Sequence, residues 1–340
     1  MLFNCILIKR TMRVACTVAA VAVLCVSAVA QSAATAAHDS ASIRIWGHGH
    51  RGQDYIQTLL TAWESGFRSS HPEANFEDTL YGNASGIGSL FTGVGDLAIM
   101  DREASFIEHD AFLQGAGYKL FGIPVAQGAV SIPHHARALV VYVNRANPLT
   151  EVTMEQLDGI FDADHRLTNR RYKTWGDLGL IGEWASRPIQ IYSYEIVSSK
   201  VQFFESAALK GSQKFSCGLT VFHDGPGLSA EQQIGAAMKK NKYGVALSAP
   251  IPGLKAVALA KRSGEPPVLA TEEAITAGMY PLARTVYIYV NRKPGSPVPP
   301  KVAAFLEYIV SPEGQAIVAH TGGYLPLSAN LATKAKELLQ

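Results

Sequence analysis

Cysteine is nearly missing from the part of the chain that must fold. Of four cysteines, Cys5, Cys16 and Cys25 fall within the first thirty residues, which leaves Cys217 alone in the remainder. One thiol excludes an internal disulfide there and reads as a small core residue, so stability has to come from buried apolar side chains. Charge of one sign is also scarce. The formal net charge is +2, but Lys9, Arg10 and Arg13 stand in the first thirty residues with no acid, so the rest carries about −1. Without a basic run or patch, the sequence points to no nucleic-acid partner. The longest apolar run, Val14 to Val29, is about sixteen residues, shorter than the roughly twenty a membrane span needs. Catalytic signatures are missing too: no Gly-x-Ser-x-Gly elbow, His-Glu-x-x-His helix or phosphate-loop lysine is present. The glycine-rich stretches at 47–50, 82–86 and 115–117 carry no dinucleotide fingerprint. These absences argue against an enzyme and call for no cofactor.

What is present begins with an export signal. The basic residues, the apolar run and the small Ala28-Val29-Ala30 are the three parts of a secretory signal peptide over residues 1–30. Residues 31–41 are small and polar and read as a tail. Beyond them, Ser42 to Trp46 reads as a strand, and Tyr55, Ile56, Leu59, Leu60, Trp63 and Phe67 fall at helical spacing until His71-Pro72 stops them. Strands at Phe76–Leu80, Asp96–Met100, Gly122–Val125, Ala138–Val143, Ile189–Tyr192, Tyr243–Leu247 and Thr285–Val290 alternate with helices. The helices are expected at Ser85–Thr92, from Thr153, at Ser198–Leu209 and at Ala230–Lys240, with two more at the end, the second opened by Ser311-Pro312-Glu313. Thr153 and Gln156 have capping-box spacing, and Trp175–Gly179 reads as a loop. Such alternation predicts βαβ units around mainly parallel sheets, an α/β fold.

The densest segment is Tyr81 to Glu103. Its Gly82-Asn-Ala-Ser-Gly-Ile-Gly88 turn leads into a helix, and Asp96-Leu-Ala-Ile-Met-Asp101 forms an acidic strand behind it. A helix starting near Ser85 turns unpaired N–H groups and a partly positive end toward whatever lies before it, a setting for an anion. A plain capped helix between two strands fits the same residues.

The chain resembles the phosphate-binding proteins of ABC-type uptake systems, in the type II periplasmic solute-binding superfamily. The resemblance runs from about Ile43 to Leu327. Its landmarks are the Gly47-His-Gly-His turn, Gly82-Asn-Ala-Ser-Gly-Ile87 with Gly95-Asp-Leu-Ala98, and Val141-Tyr-Val-Asn144 with Asn147-Pro-Leu149. Leu157-Asp-Gly-Ile-Phe161, Thr174-Trp-Gly-Asp-Leu-Gly179, Tyr280-Pro-Leu-Ala-Arg284, Ser311-Pro-Glu-Gly-Gln315 and Gly322-Gly-Tyr-Leu-Pro-Leu327 follow. The resemblance implies two lobes with a ligand cleft between them, lobe 1 from 42–135 plus 286–340 and lobe 2 from 136–285. It also implies an exported, periplasmic, monomeric protein that captures a small oxyanion, phosphate first, and delivers it to an ABC permease in the inner membrane.

Three ligand elements follow from the same resemblance. The turn after the first strand corresponds to Gly47, His48, Gly49 and His50, and the helix start to Ser85 and Gly86. The acidic strand gives Asp96 as the carboxylate that accepts a proton from the ligand, with Met100 where the family has a serine. The third element, Arg-x-Asp-x-Ser-Gly-Thr in the family, falls on Tyr194-Glu-Ile-Val-Ser-Ser-Lys200. Tyr194, Ser198, Ser199 and Lys200 are its candidates, although the arginine, a bidentate oxyanion clamp, is replaced, and Arg51 or Arg102 could enter the cleft instead. His48 and His50 also admit metal ligation or a solvated loop, and His134-His135 a surface pair near the hinge. Two other readings stay open: a sensor or partner-binding protein on the same fold, and a metal-dependent hydrolase built on His48 and His50.

Overall fold

The computed structural model describes residues 42–49, 55–131 and 137–340; the signal segment, the tail, His50, Arg51 and the His134-His135 pair lie outside them. Residues 43–340 form one compact unit. Its first sheet is built from β1 (Ser42–Gly47), β2 (Asn75–Thr79), β3 (Leu97–Met100) and β4 (Phe121–Gln127). Three helices belong to it: α1 (Tyr55–Arg68), α2 (Asn83–Thr92) and α3 (Phe106–Ala116). The apolar spacing in α1 becomes its buried face. Ile56, Leu59, Leu60 and Trp63 are fully buried and Phe67 nearly so, each burial stabilising by about 1.5–3 kcal/mol. The Trp63 indole N–H donates to the Gly314 carbonyl at 2.8 Å, which fixes α1 against the C-terminal helices.

The second sheet takes β5 (Val140–Val143), β7 (Gln190–Tyr194), β8 (Leu219–Phe222), β9 (Gly244–Ser248) and the short β10 (Lys255–Ala256), in the order β10-β5-β9-β7-β8. Strands β6 (Glu151–Thr153) and β11 (Ala258–Ala260) pair in parallel as a separate ribbon, too short to be read from sequence. Helices α4 (Met154–Phe161), α5 (Ser199–Ala208), α6 (Ala230–Lys240) and the short α7 (Glu272–Thr276) accompany this sheet. The Thr153–Gln156 capping box forms in full at the start of α4. Trp175–Leu178, expected as loop, is a single 3-10 turn capped by Thr174, which buries Trp175 completely.

The chain then returns. Strand β12 (Thr285–Val290) inserts between β3 and β4, antiparallel to both, and completes the order β2-β1-β3-β12-β4. Three helices follow rather than two: α8 (Pro300–Ile309), α9 (Pro312–Thr321) and α10 (Ala329–Leu339). Ser311 caps α9 through the Gly314 amide, with Pro312 in its first turn. The third, α10, was missed; it buries Ala335 and packs Leu331, Ala332 and Leu339 partly against the core of the first sheet. Each sheet has its own large apolar core, the two lobes of the molecule. Two extended crossings join them and lie side by side: the Gly128 amide donates to the Arg284 carbonyl at 2.9 Å, and the Leu139 amide to Leu282 at 3.1 Å. Cys217 is exposed, not a core residue; it sits in the turn before β8, where no packing claims it.

Candidate functional site

Strands β1 and β3 run parallel, so their carboxyl ends open on the same edge, where α/β sheets bind ligands. Gly47 ends β1 at φ +132°, and a Cβ there would sit 2.0 Å from the Ile99 carbonyl oxygen; only glycine fits. Its carbonyl accepts from the Gly82 amide at 2.8 Å, and the His48 amide donates to Ile99 at 2.7 Å. Gly86 lies so close that a Cβ would be 3.3 Å from the Gly47 Cα. The start of α2 is thereby pressed against the end of β1. Gly82 caps α2 without a side-chain hydrogen bond, and the Ser85 hydroxyl donates to the Gly82 carbonyl at 2.8 Å.

At the carboxyl end of β3 stands Asp101, 4% exposed. Arg284 Nη2 donates to its Oδ2 at 2.6 Å and Asn83 Nδ2 to its Oδ1 at 2.7 Å. Its own amide donates to Asn83 Oδ1 at 3.2 Å, and His48 Nδ1 is 3.7 Å from Oδ1. Burial by itself would raise the carboxyl's pKa, but Arg284, His48 and Asn83 hold it far below the usual carboxylate range. Arg284 comes from the crossing before β12 and is buried. Its Nη2 also lies 3.4 Å from the Ser199 hydroxyl on α5, a contact from lobe 1 and the crossing to lobe 2. Its Nε is buried without a hydrogen-bond partner, a donor in want of an acceptor.

Lobe 2 contributes the start of α5, capped by Ser198, whose hydroxyl accepts from the Val201 amide at 3.3 Å. The parallel pair β7 and β9 ends beside it at Tyr194 and Ser248. The Tyr194 hydroxyl donates to Glu231 Oε1 at 2.8 Å, accepts from the Ala249 amide at 2.7 Å and touches Ser248 Oγ at 2.9 Å. Glu231, in the first turn of α6, also meets Lys200 Nζ at 3.3 Å and Arg137 Nη2 at 3.9 Å.

These positions redraw the sequence expectations. Asp96 does not face the cleft. It precedes β3, about 16 Å of strand away from Asp101, and is bound by Arg44 of β1 through the backbone amide at 2.9 Å, Nε at 3.3 Å and Nη2 at 2.8 Å. The acid at the carboxyl end of β3, beside Asn83 and the start of α2, is the last of the Asp96–Asp101 stretch, not the first. Met100 is fully buried core. The Tyr194 hydroxyl is engaged on three sides, by Glu231, Ser248 and the Ala249 amide. Arg102 is clamped bidentately by Glu108 at 2.6 and 2.9 Å. Gly47, His48, Ser85 and Gly86 stand where the ends of β1 and β3 meet the start of α2, and Ser198, Ser199 and Lys200 stand at the start of α5, which Ser199 joins to Arg284. Gly49 is packed against Leu80, where a Cβ would meet the Leu80 Cβ at 2.5 Å. His50 lies outside the described residues. Asp101, Asn83, Arg284, Glu231 and Arg137 were missed, although Arg284 closes the Tyr280–Arg284 landmark. Among the described residues no group of three or more His, Cys, Asp or Glu side chains could hold a metal.

A family model described as a PBP superfamily domain matches residues 32–313. The chain is 34% identical over 291 residues to the phosphate-binding protein PstS of Pseudomonas aeruginosa, covering 84% of this chain and 85% of that protein. It is 25% identical over 297 residues to the protein SphX of Synechococcus elongatus, covering 84% and 79%. Among solved structures, an ABC-type phosphate transport receptor from Vibrio cholerae superposes with a TM-score of 0.55 at 19% identity, over 84% of this chain and 100% of that one. PstS from Borrelia burgdorferi gives 0.55 at 16% identity, over 85% and 99%. These structures share the two-lobed fold.

Proposed function

Because the chain belongs to the PBP superfamily, in the family of the PstS phosphate-binding proteins, we propose that it is exported, captures phosphate between its lobes and delivers it as a monomer to an ABC permease of the inner membrane. One observation carries the ligand: the buried Arg284–Asp101 pair under the start of α2, with Ser199 of α5 reaching it from the other lobe. Helix N-termini supply amide donors and a positive potential to an oxyanion. Arg284 adds a full charge and an unused Nε donor. Asp101, held ionised, can only accept, so it favours an anion that still carries a proton and penalises one with none to share. Contacts from both lobes make closure a hinge motion driven by differential binding to the closed form. Export rests on the signal-like residues 1–30.

Titration calorimetry of the purified protein with phosphate, sulfate, molybdate and small carboxylates tests this. Phosphate heat without sulfate heat is expected; silence toward every oxyanion would refute the ligand and leave the fold untouched. The consumption of Tyr194 and Lys200 by Glu231 favours a second reading, a sensor that binds a protein partner. Recovery of one envelope partner irrespective of added phosphate would select it.

A further inference from the structure

We infer that Glu231 sets the charge of the ligand this cleft accepts: its carboxylate retains Lys200 and Arg137 and so withholds two cations from the bound oxyanion. The inference rests on the oxyanion reading of the cleft and adds to it a residue that sets how strongly the cleft attracts negative charge.

The geometry is unusually one-sided. A single oxygen, Glu231 Oε1, gathers the Tyr194 hydroxyl at 2.8 Å, Lys200 Nζ at 3.3 Å and Arg137 Nη2 at 3.9 Å. The phenol that orients it is fixed from below by Ser248 and Ala249, and Lys200 Nζ stands 4.4 Å above the centre of the same ring, a cation–π placement. Glu231 lies in the first turn of α6 behind the Ser229 cap, where a negative charge is favoured. Burial would raise its pKa, but Lys200 and the hydrogen bonds to it keep it down at about 2, so the carboxylate is ionised at any physiological pH.

The location gives this cluster its consequence. Ser199 touches Arg284, and Lys200 is the next residue, so the same first turn of α5 carries both the contact to the Arg284–Asp101 pair and the cation that Glu231 holds. Tyr194 and Ser248 end β7 and β9 at the sheet edge that faces ligand. Lys200, Arg137 and Glu231 are partly exposed, at 28, 22 and 15% of their side chains, so the cluster opens to solvent on that edge. Counting Arg284, Lys200 and Arg137 against Asp101 and Glu231, the cleft carries a net +1. A singly charged anion suits that balance better than a dianion, whether hydrogen phosphate or sulfate, and removing the Glu231 charge raises the balance to +2.

The test compares the wild type with E231Q, which keeps an oxygen acceptor for Tyr194 and the side-chain volume. Affinities for inorganic phosphate and sulfate are measured by calorimetry at pH 7.5 and low salt. E231Q is expected to bind phosphate, mainly the dianion at this pH, at least tenfold tighter and to gain affinity for sulfate by the same factor wherever the wild type binds it measurably, and adding Lys200→Met is expected to remove that gain. If E231Q melts like the wild type and both affinities stay within twofold, the inference is wrong while the phosphate reading stands. If the wild type binds no oxyanion and E231Q does, the inference stands and the phosphate reading falls. If neither binds, both fall. Should E231Q not fold, E231D, which keeps the charge, must keep both wild-type affinities within twofold; a tenfold gain by it would overturn the charge argument.

Discussion

Replacing Arg284 with methionine removes the guanidinium and keeps most of the volume. Asp101 then stays buried at 4% exposure with its 2.6 Å partner gone, and the Asn83 hydrogen bond, His48 and the more distant Arg102 charge remain to it. Breaking one partner out of a buried ion pair costs about 3–5 kcal/mol; the surviving Asn83 bond places Arg284→Met near about 3. For a protein of this size that corresponds to a fall of about 6–12 °C in Tm. Asp101→Asn should cost a similar amount by stranding Arg284. The double variant strands neither, so it should be more stable than the sum of the single losses by about 2–3 kcal/mol. The pH dependence has a definite sign. In the wild type the folded pKa of Asp101 is depressed, so its contribution is present above the ordinary value of 3.8 and is lost as pH falls further. Without Arg284 the folded pKa rises, so the deficit of Arg284→Met should shrink between pH 7 and pH 4. Urea melts followed through the buried Trp63, Trp175 and Trp184 measure all four proteins. A loss under 1 kcal/mol for Arg284→Met, or strictly additive losses, would refute the account of the pair.

Asp96→Asn tests the reassignment of the acid: it should cost about 1–2 kcal/mol through the Arg44 hydrogen bonds and leave phosphate affinity within twofold by calorimetry. Gly47→Ala places a Cβ 2.0 Å from the Ile99 oxygen at a positive φ; a loss of more than about 3 kcal/mol is expected, visible as low soluble yield or a collapsed thermal melt. Glu205 on α5 is buried and pushed up to about 7, with Arg102 pulling the other way. It therefore binds a proton on folding, and its contribution is full below the ordinary 4.5 and lost as pH rises to about 7, a drop of about 3 kcal/mol. Glu205→Gln should flatten that part of the stability–pH curve, and an unchanged slope would assign the titration elsewhere.

The elements were largely legible in the sequence because local signals agree with the fold. The α1 stripe, the Thr153 capping box and the Ser311-Pro312 helix start all appear where their residues put them. The site was less legible. Asp96 and Asp101 flank a four-residue strand, and nothing local says which end meets the ligand; that depends on β1 running parallel beside it. Arg284 is distant in sequence from every other cleft residue and reaches Asp101 only because the crossing passes between the lobes. Tyr194, aligned with a family arginine, is taken up by Glu231, 37 residues on, a pairing made by the β7–β9 register and the placement of α6.

Arg284 lies on the crossing, not on either lobe's outer elements, and its carbonyl is hydrogen-bonded to Gly128 of the other crossing. In the proposed hinge closure it would be a fixed post at the pivot, scarcely displaced by rotation of one lobe about the crossings. An arriving anion would then meet a half-built receptor made of the post, Asn83 and the open end of α2, whatever the angle of the lobes. The swing of lobe 2 adds only Ser199 and its helix. Capture would be governed by the post and release by the swing, so variants at Ser199 should alter how long phosphate stays more than how fast it arrives.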